Sequence, residues 1–100
     1  VAYAGNVARP EDRNFADPVA TVTGPDGELT LKLWTDRPGL QVYNGMWTDV
    51  HPPGGPDFGS FAGFCLEDQD FPDALHNPNF PSIIYGPENP YSHWCEIEIA

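Results

Sequence analysis

Leu29-Thr30-Leu31-Lys32-Leu33-Trp34-Thr35 returns a leucine at every second position, with polar or aromatic residues between. Successive side chains of extended backbone point to opposite sides, so period two predicts a strand with one face buried. Just upstream, Thr23-Gly24-Pro25-Asp26-Gly27-Glu28 carries the Pro-Asp-Gly signature of a tight turn, and Ala20-Thr21-Val22 supplies a hairpin partner. Downstream, Asp36-Arg37-Pro38-Gly39 makes a second turn into Leu40-Gln41-Val42-Tyr43. There Leu40 and Val42 share one face, and Gln41 and Tyr43 the other. A loop rich in Pro and Gly covers residues 49–60, and alternation resumes over residues 61–67, ending on Glu67. A short apolar run at residues 82–85 and a last strand over 91–99 follow. Twelve prolines and ten glycines leave long helices little room. The chain therefore reads as all-β and antiparallel, with five or six strands and no internal repeat.

One hundred residues make one small domain or part of a larger one, and 40% apolar content suffices for a packed core. Fifteen acids against four bases give a net charge of −11, which argues against nucleic acid or an anionic membrane as partner. No apolar run approaches the length of a membrane span, and the start at Val1 has no signal-peptide character. That start predicts a processed chain or a piece of a longer one. Residues 1–19 lack periodicity, with Pro10, Pro18 and a charged patch at Glu11-Asp12-Arg13, as expected of a segment that covers or joins another element. Cys65 and Cys95 both fall in strand-like runs, so they are expected to be free and buried, in a cytoplasmic protein.

Glu67 is the candidate for chemistry. A carboxylate on the last residue of a buried strand sits half in apolar surroundings and half over a cleft, the environment of a general base. The following Asp68, Asp70 and Asp73 do not match a calcium loop, because Pro72 and Asp73 stand where a third ligand and the turn glycine belong; they read as a solvated acidic loop. His51, His76 and His93 have no second His or Cys at a zinc-ligand spacing, so no metal site is expected. His93 is placed on the face of the last strand with Cys95. Trp34, Trp47, Phe58, Phe71 and Trp94, with Gln41, Asn44, Gln69 and Asn77, are residue types that stack on and hydrogen-bond to a sugar. Taken singly, each aromatic fits a core role equally well. Gln41 and Glu67 stand out because each follows an apolar residue that would be buried on the opposite side.

Two ordered segments are similar to the C-terminal portion of the aldose 1-epimerase, or galactose mutarotase, family. Thr35-Asp36-Arg37-Pro38-Gly39-Leu40-Gln41-Val42-Tyr43-Asn44-Gly45 resembles the family's T-x-x-P-G-x-Q-x-Y-T-G stretch. Cys65-Leu66-Glu67-Asp68-Gln69-Asp70-Phe71-Pro72-Asp73-Ala74 resembles its C-L-E-T-Q-x-x-P-D-A stretch. Asn79-Phe80-Pro81 and the strand after Tyr91 also fit, whereas residues 1–19 match poorly. Asp68 and Asn44 replace threonines, and His76 stands where asparagine is common. The resemblance implies one partial domain over residues 1–100, the C-terminal part of a galactose mutarotase-like β-sandwich. It implies a free monosaccharide as substrate, Glu67 as the general base, Gln41 as a sugar ligand, and neither cofactor nor metal. It also implies a histidine general acid upstream of the matching region, a role for which His51, His76 and His93 lie in the wrong places. The acid-bearing part would then lie elsewhere, even on another chain. A non-catalytic sugar-binding module and an inactive fragment are the competing expectations.

Overall fold

The computed structural model describes residues 2–3 and 16–100. Among these residues β1 (Ala2–Tyr3), β2 (Ala20–Thr23), β3 (Thr30–Thr35), β4 (Gly39–Tyr43), β5 (Cys65–Gln69) and β6 (Cys95–Ile99) are all antiparallel. They form two three-stranded sheets, ordered β1-β4-β5 and β2-β3-β6. The all-β expectation is met, and the helical element among the described residues is a 3-10 turn at Ala74–His76. Most of the aperiodic segment 1–19 lies outside the described residues.

The β2–β3 hairpin follows its turn chemistry. Gly27 donates to the Gly24 carbonyl at 2.9 Å and takes φ 74°, a left-handed conformation that glycine adopts without steric cost. Ala20 then faces Leu33 and Val22 faces Leu31, while β6 sets Ile97 opposite Leu33 and Ile99 opposite Leu31. One face of this sheet is thus apolar, and the other carries the Lys32–Glu98 pair at 3.5 Å.

Three expected boundaries move. The strand expected over residues 61–67 is β5, Cys65–Gln69, because Phe61 has φ 64° and Ala62 donates back to the Gly59 carbonyl. Its far end is extended by pairing, with Gly39 opposite Gln69 and Leu40 opposite Asp68. Residues 82–85 form no strand: Ile84 donates its N–H to the Ser82 hydroxyl and its carbonyl accepts from the Asn89 amide, so local side chains take the ladder groups. The last strand starts at Cys95 rather than residue 91, since the Trp94 N–H turns to the Asp36 carboxylate.

Leu33, Leu40 and Ala74 are the buried apolar side chains, against fifteen exposed large ones among the described residues. Apolar packing alone therefore does not hold the two sheets together. A polar clasp joins them where β3 hands over to β4. The Thr35 hydroxyl donates to Asp68 at 2.6 Å, linking β3 of one sheet to β5 of the other, and His93 Nε2 lies against the same carboxylate. Buried Arg37 reaches Asp36 through Nε at 3.0 Å, Asp70 and the Tyr85 hydroxyl through Nη1, and the Ser92 carbonyl through Nη2. Its guanidinium also lies 5.3 Å from the Tyr91 ring centroid. Burial alone would raise the Asp68 pKa, but the hydrogen bonds from Thr35 and His93 outweigh it and hold this carboxyl below its ordinary 3.8. Burial acts the same way on Asp36, and the bonds from Arg37 and Trp94 again win.

Arg37→Ala strands Asp36, Asp70 and the Ser92 carbonyl, and should lower stability by about 3–5 kcal/mol, read as a fall in the urea midpoint. Arg37→Lys should recover only part, because a point charge cannot replace the planar fork. The depressed Asp68 value means that the unfolded chain takes up protons first. The clasp's contribution is therefore complete above the ordinary 3.8 and disappears as pH falls through the lower folded value. Asp68→Asn should flatten the acid limb of the stability–pH curve; an unchanged slope below pH ~4 would rule out this coupling.

Candidate active site

The register of β4 and β5 sets Gln41 directly opposite Glu67, with Tyr43 opposite Cys65 and Gly39 opposite Gln69. Residues directly opposite in an antiparallel pair have Cβ atoms roughly 5 Å apart, so the amide and the carboxylate share one surface patch. Strand alternation puts Tyr43 and Gln69 on that face, and Leu40, Val42, Leu66 and Asp68 on the other. Leu40 is 3% exposed, which confirms that the leucine face points inward. Glu67 is at the centre of a five-residue strand and exposed, not half-buried at a strand end. The ladder with Gly39 and Leu40 carries β5 past it, and β5 is an outer strand of its sheet.

Aromatic groups bound the patch at both ends. A Cβ on Gly39 would lie 3.1 Å from Phe71 Cδ1 and 3.2 Å from the Gln69 carbonyl oxygen, so the missing side chain makes room for the Phe71 ring. Phe71 in turn packs against Phe80, with centroids 5.0 Å apart. At the other end the Tyr43 hydroxyl accepts the Trp47 N–H at 2.8 Å. An exposed carboxylate beside an amide, between aromatic walls, presents a proton acceptor and a hydrogen-bonding pair to a polar ring with apolar C–H faces.

The other candidates go elsewhere. Asn44 accepts the Met46 N–H and Asn77 donates to the Asp73 carbonyl, so both amides brace turns. Among the aromatics, Trp34 is half-buried within β3, while Phe58 and Trp94 are exposed. His51 lies between Asp49 at 2.9 Å and Asp57 at 2.7 Å, and His76 contacts Asp73. His93 precedes β6 instead of lying on it, and its partner Asp68 is on the face of β5 opposite Glu67. Asp68 and Asp70 are clasp residues rather than a solvated loop; the signal was Arg37, one of only four bases in the chain, set between Asp36 and Pro38. Both cysteines are free and, against expectation, exposed, because each lies on an outer strand. Partial desolvation by its surroundings, and then the neighbouring Asp68 charge, push the Cys95 thiol up although its surface is exposed. Burial and the bond to Asp70 likewise raise the Tyr85 phenol. Among the described residues no group of three His, Cys, Asp or Glu side chains could hold a metal ion, and no helix is long and apolar enough to cross a membrane.

A family model described as aldose 1-epimerase matches residues 5–98. The galactose mutarotase of Rattus norvegicus is 38% identical over 74 residues, which cover 70% of this chain and 22% of that protein. The Homo sapiens galactose mutarotase is 36% identical over the same shares. The aldose 1-epimerase of Haemophilus influenzae is 31% identical over 90 residues, 87% of this chain and 26% of the relative. The chain thus spans about a quarter or less of the length of these relatives. With a match that runs through both strands of the Gln41–Glu67 patch, the chain belongs to the aldose 1-epimerase family.

Proposed function

We propose that the protein carrying this chain is a mutarotase that interconverts the α and β anomers of a free aldose, with Glu67 as general base and Gln41 as a sugar ligand. The observation that carries this reading is the direct cross-strand pairing of Gln41 with Glu67 on a face walled by Tyr43 and Phe71. Glu67 takes the proton of the anomeric hydroxyl while the C1–O5 bond breaks and C1 becomes a carbonyl. The ring oxygen receives a proton from a general acid supplied from outside this chain, by the rest of the same domain. Rotation about C1–C2 and the reverse steps close the ring on the other face. No net proton or electron is consumed, so a base and an acid suffice. Gln41 holds a neighbouring hydroxyl and so fixes the ring while C1 turns. Residues 1–100 form part of one mutarotase-like domain, in keeping with the exposure of Ile97 and Ile99 on the apolar face of the β2-β3-β6 sheet. The two unpaired thiols suit a reducing, cytoplasmic setting.

A second reading, a sugar-binding module without catalysis, is favoured by the carboxylate partners of all three histidines, with His93 turned to the far face of β5. Titration of the full-length protein with galactose and glucose by NMR separates the two. Saturable binding without faster mutarotation means the module.

Glu67→Gln in the full-length protein should lower the mutarotation rate followed by polarimetry by about 10²- to 10⁴-fold, with sugar binding largely kept. A wild-type rate in this variant removes Glu67 from the base role.

A further inference from the structure

Thr35 is 1% exposed, and its hydroxyl is set from two sides. It accepts the Arg37 N–H at 3.0 Å, which directs its own proton onward to the Asp68 carboxylate at 2.6 Å, with the Trp94 carbonyl beside it at 3.1 Å. A charge-assisted hydrogen bond kept from water is among the stronger ones a neutral side chain can make. This bond crosses between the sheets and falls on a strand with little other support. Among the described residues β5 pairs with β4 alone. The Glu67 side chain is exposed and has no hydrogen bond to another described residue. The backbone beneath it thus sets where its carboxylate can reach.

Asp68 is the next residue, one planar trans peptide away, so a shift of its backbone carries Glu67 along. Proton transfer tolerates little of this, because a reacting group misplaced by about 1 Å loses on the order of 10²-fold in rate. Resting on the mutarotase reading above, we propose that Thr35 is a positioning residue for the general base. Its hydroxyl holds Asp68, Asp68 fixes β5, and Glu67 meets the anomeric hydroxyl from that fixed strand. Thr35 itself touches no sugar at the Gln41–Glu67 patch, since it is buried on β3 of the other sheet. Loss of its hydroxyl therefore acts on kcat rather than on KM.

Polarimetric mutarotation by the full-length protein tests this with two variants. Thr35→Val keeps the shape and removes the hydroxyl, whereas Thr35→Ser keeps the hydroxyl. Each is measured alone and combined with Glu67→Gln, with rates taken per folded molecule as judged by circular dichroism. Thr35→Val should lower kcat about 10- to 100-fold with KM moving less than about twofold, and Thr35→Ser should retain most of the rate. In the Glu67→Gln background, where no base remains to misplace, Thr35→Val should cost less than about twofold more. An equal loss in both backgrounds marks a purely structural hydroxyl and overturns the proposal, as does an unchanged kcat. Asp68→Asn weakens the same bond from its other end. It should show the same pattern at smaller size, and it decides the matter if Thr35→Val does not fold. If wild type accelerates no sugar, or Glu67→Gln keeps the wild-type rate, the mutarotase reading falls by itself. Amide exchange then decides the anchor. Thr35→Val should speed exchange over Cys65–Gln69 about tenfold relative to Ala20–Thr23, and equal protection of the two strands removes it.

Discussion

The hydroxyl of Thr35 and the carboxylate of Asp68 are 33 residues apart in sequence and belong to different sheets, and their 2.6 Å contact closes the corner on which the rest depends. The three buried apolar side chains among the described residues cannot by themselves fix how two three-stranded sheets meet. Directional groups take over that task. Asp68 receives Thr35 and His93, while Arg37 collects Asp36, Asp70, Tyr85 and the Ser92 carbonyl around a single guanidinium. A hydrogen-bonded ion cluster with its partners satisfied tolerates few arrangements, because moving any member leaves a charge without its counterpart in poorly solvated surroundings.

That constraint reaches the proposed site through the backbone. Asp68 is the immediate neighbour of Glu67, and Arg37 lies two residues before Gly39, which opens β4 ahead of Gln41. Anchoring Asp68 on the inner face of β5 forces Glu67 to the outer face, since adjacent strand residues point to opposite sides. The same register brings Gln41 across from it. The Asp68 anchor and the patch are therefore on two faces of one strand pair, with the Asp68 charge inward and the Gln41–Glu67 pair outward.

Much of this architecture can be read directly in the residues. Leucine alternation marked β3, the Pro-Asp-Gly turn marked the β2–β3 hairpin, and the alternation of Leu40, Gln41, Val42 and Tyr43 assigned the faces of β4. Gln41 and Glu67 were legible as a pair because each follows an apolar residue. Boundaries were less so. Residues 82–85 look like a strand by composition, yet Ser82 and Asn89 satisfy their backbone locally. Glu67 looked like a strand end because apolar residues stop at Leu66, but pairing with Gly39 and Leu40 extends β5 through the acidic residues.

The sequence by itself determined the strands, the turns and the chemical types available for a site, because period, turn residues and motifs are local properties of the chain. Only the tertiary structure decided which charges are structural and which face outward. Asp68 and Asp70 look like a solvated loop in one dimension, and they become clasp members once β3, β4 and the segment before β6 converge, with His93 satisfied by Asp68 as its residue type suggested. Glu67 is left exposed opposite Gln41 by the same convergence. Pairing across tens of residues depends on which strands become neighbours, and that information belongs to no single stretch of sequence.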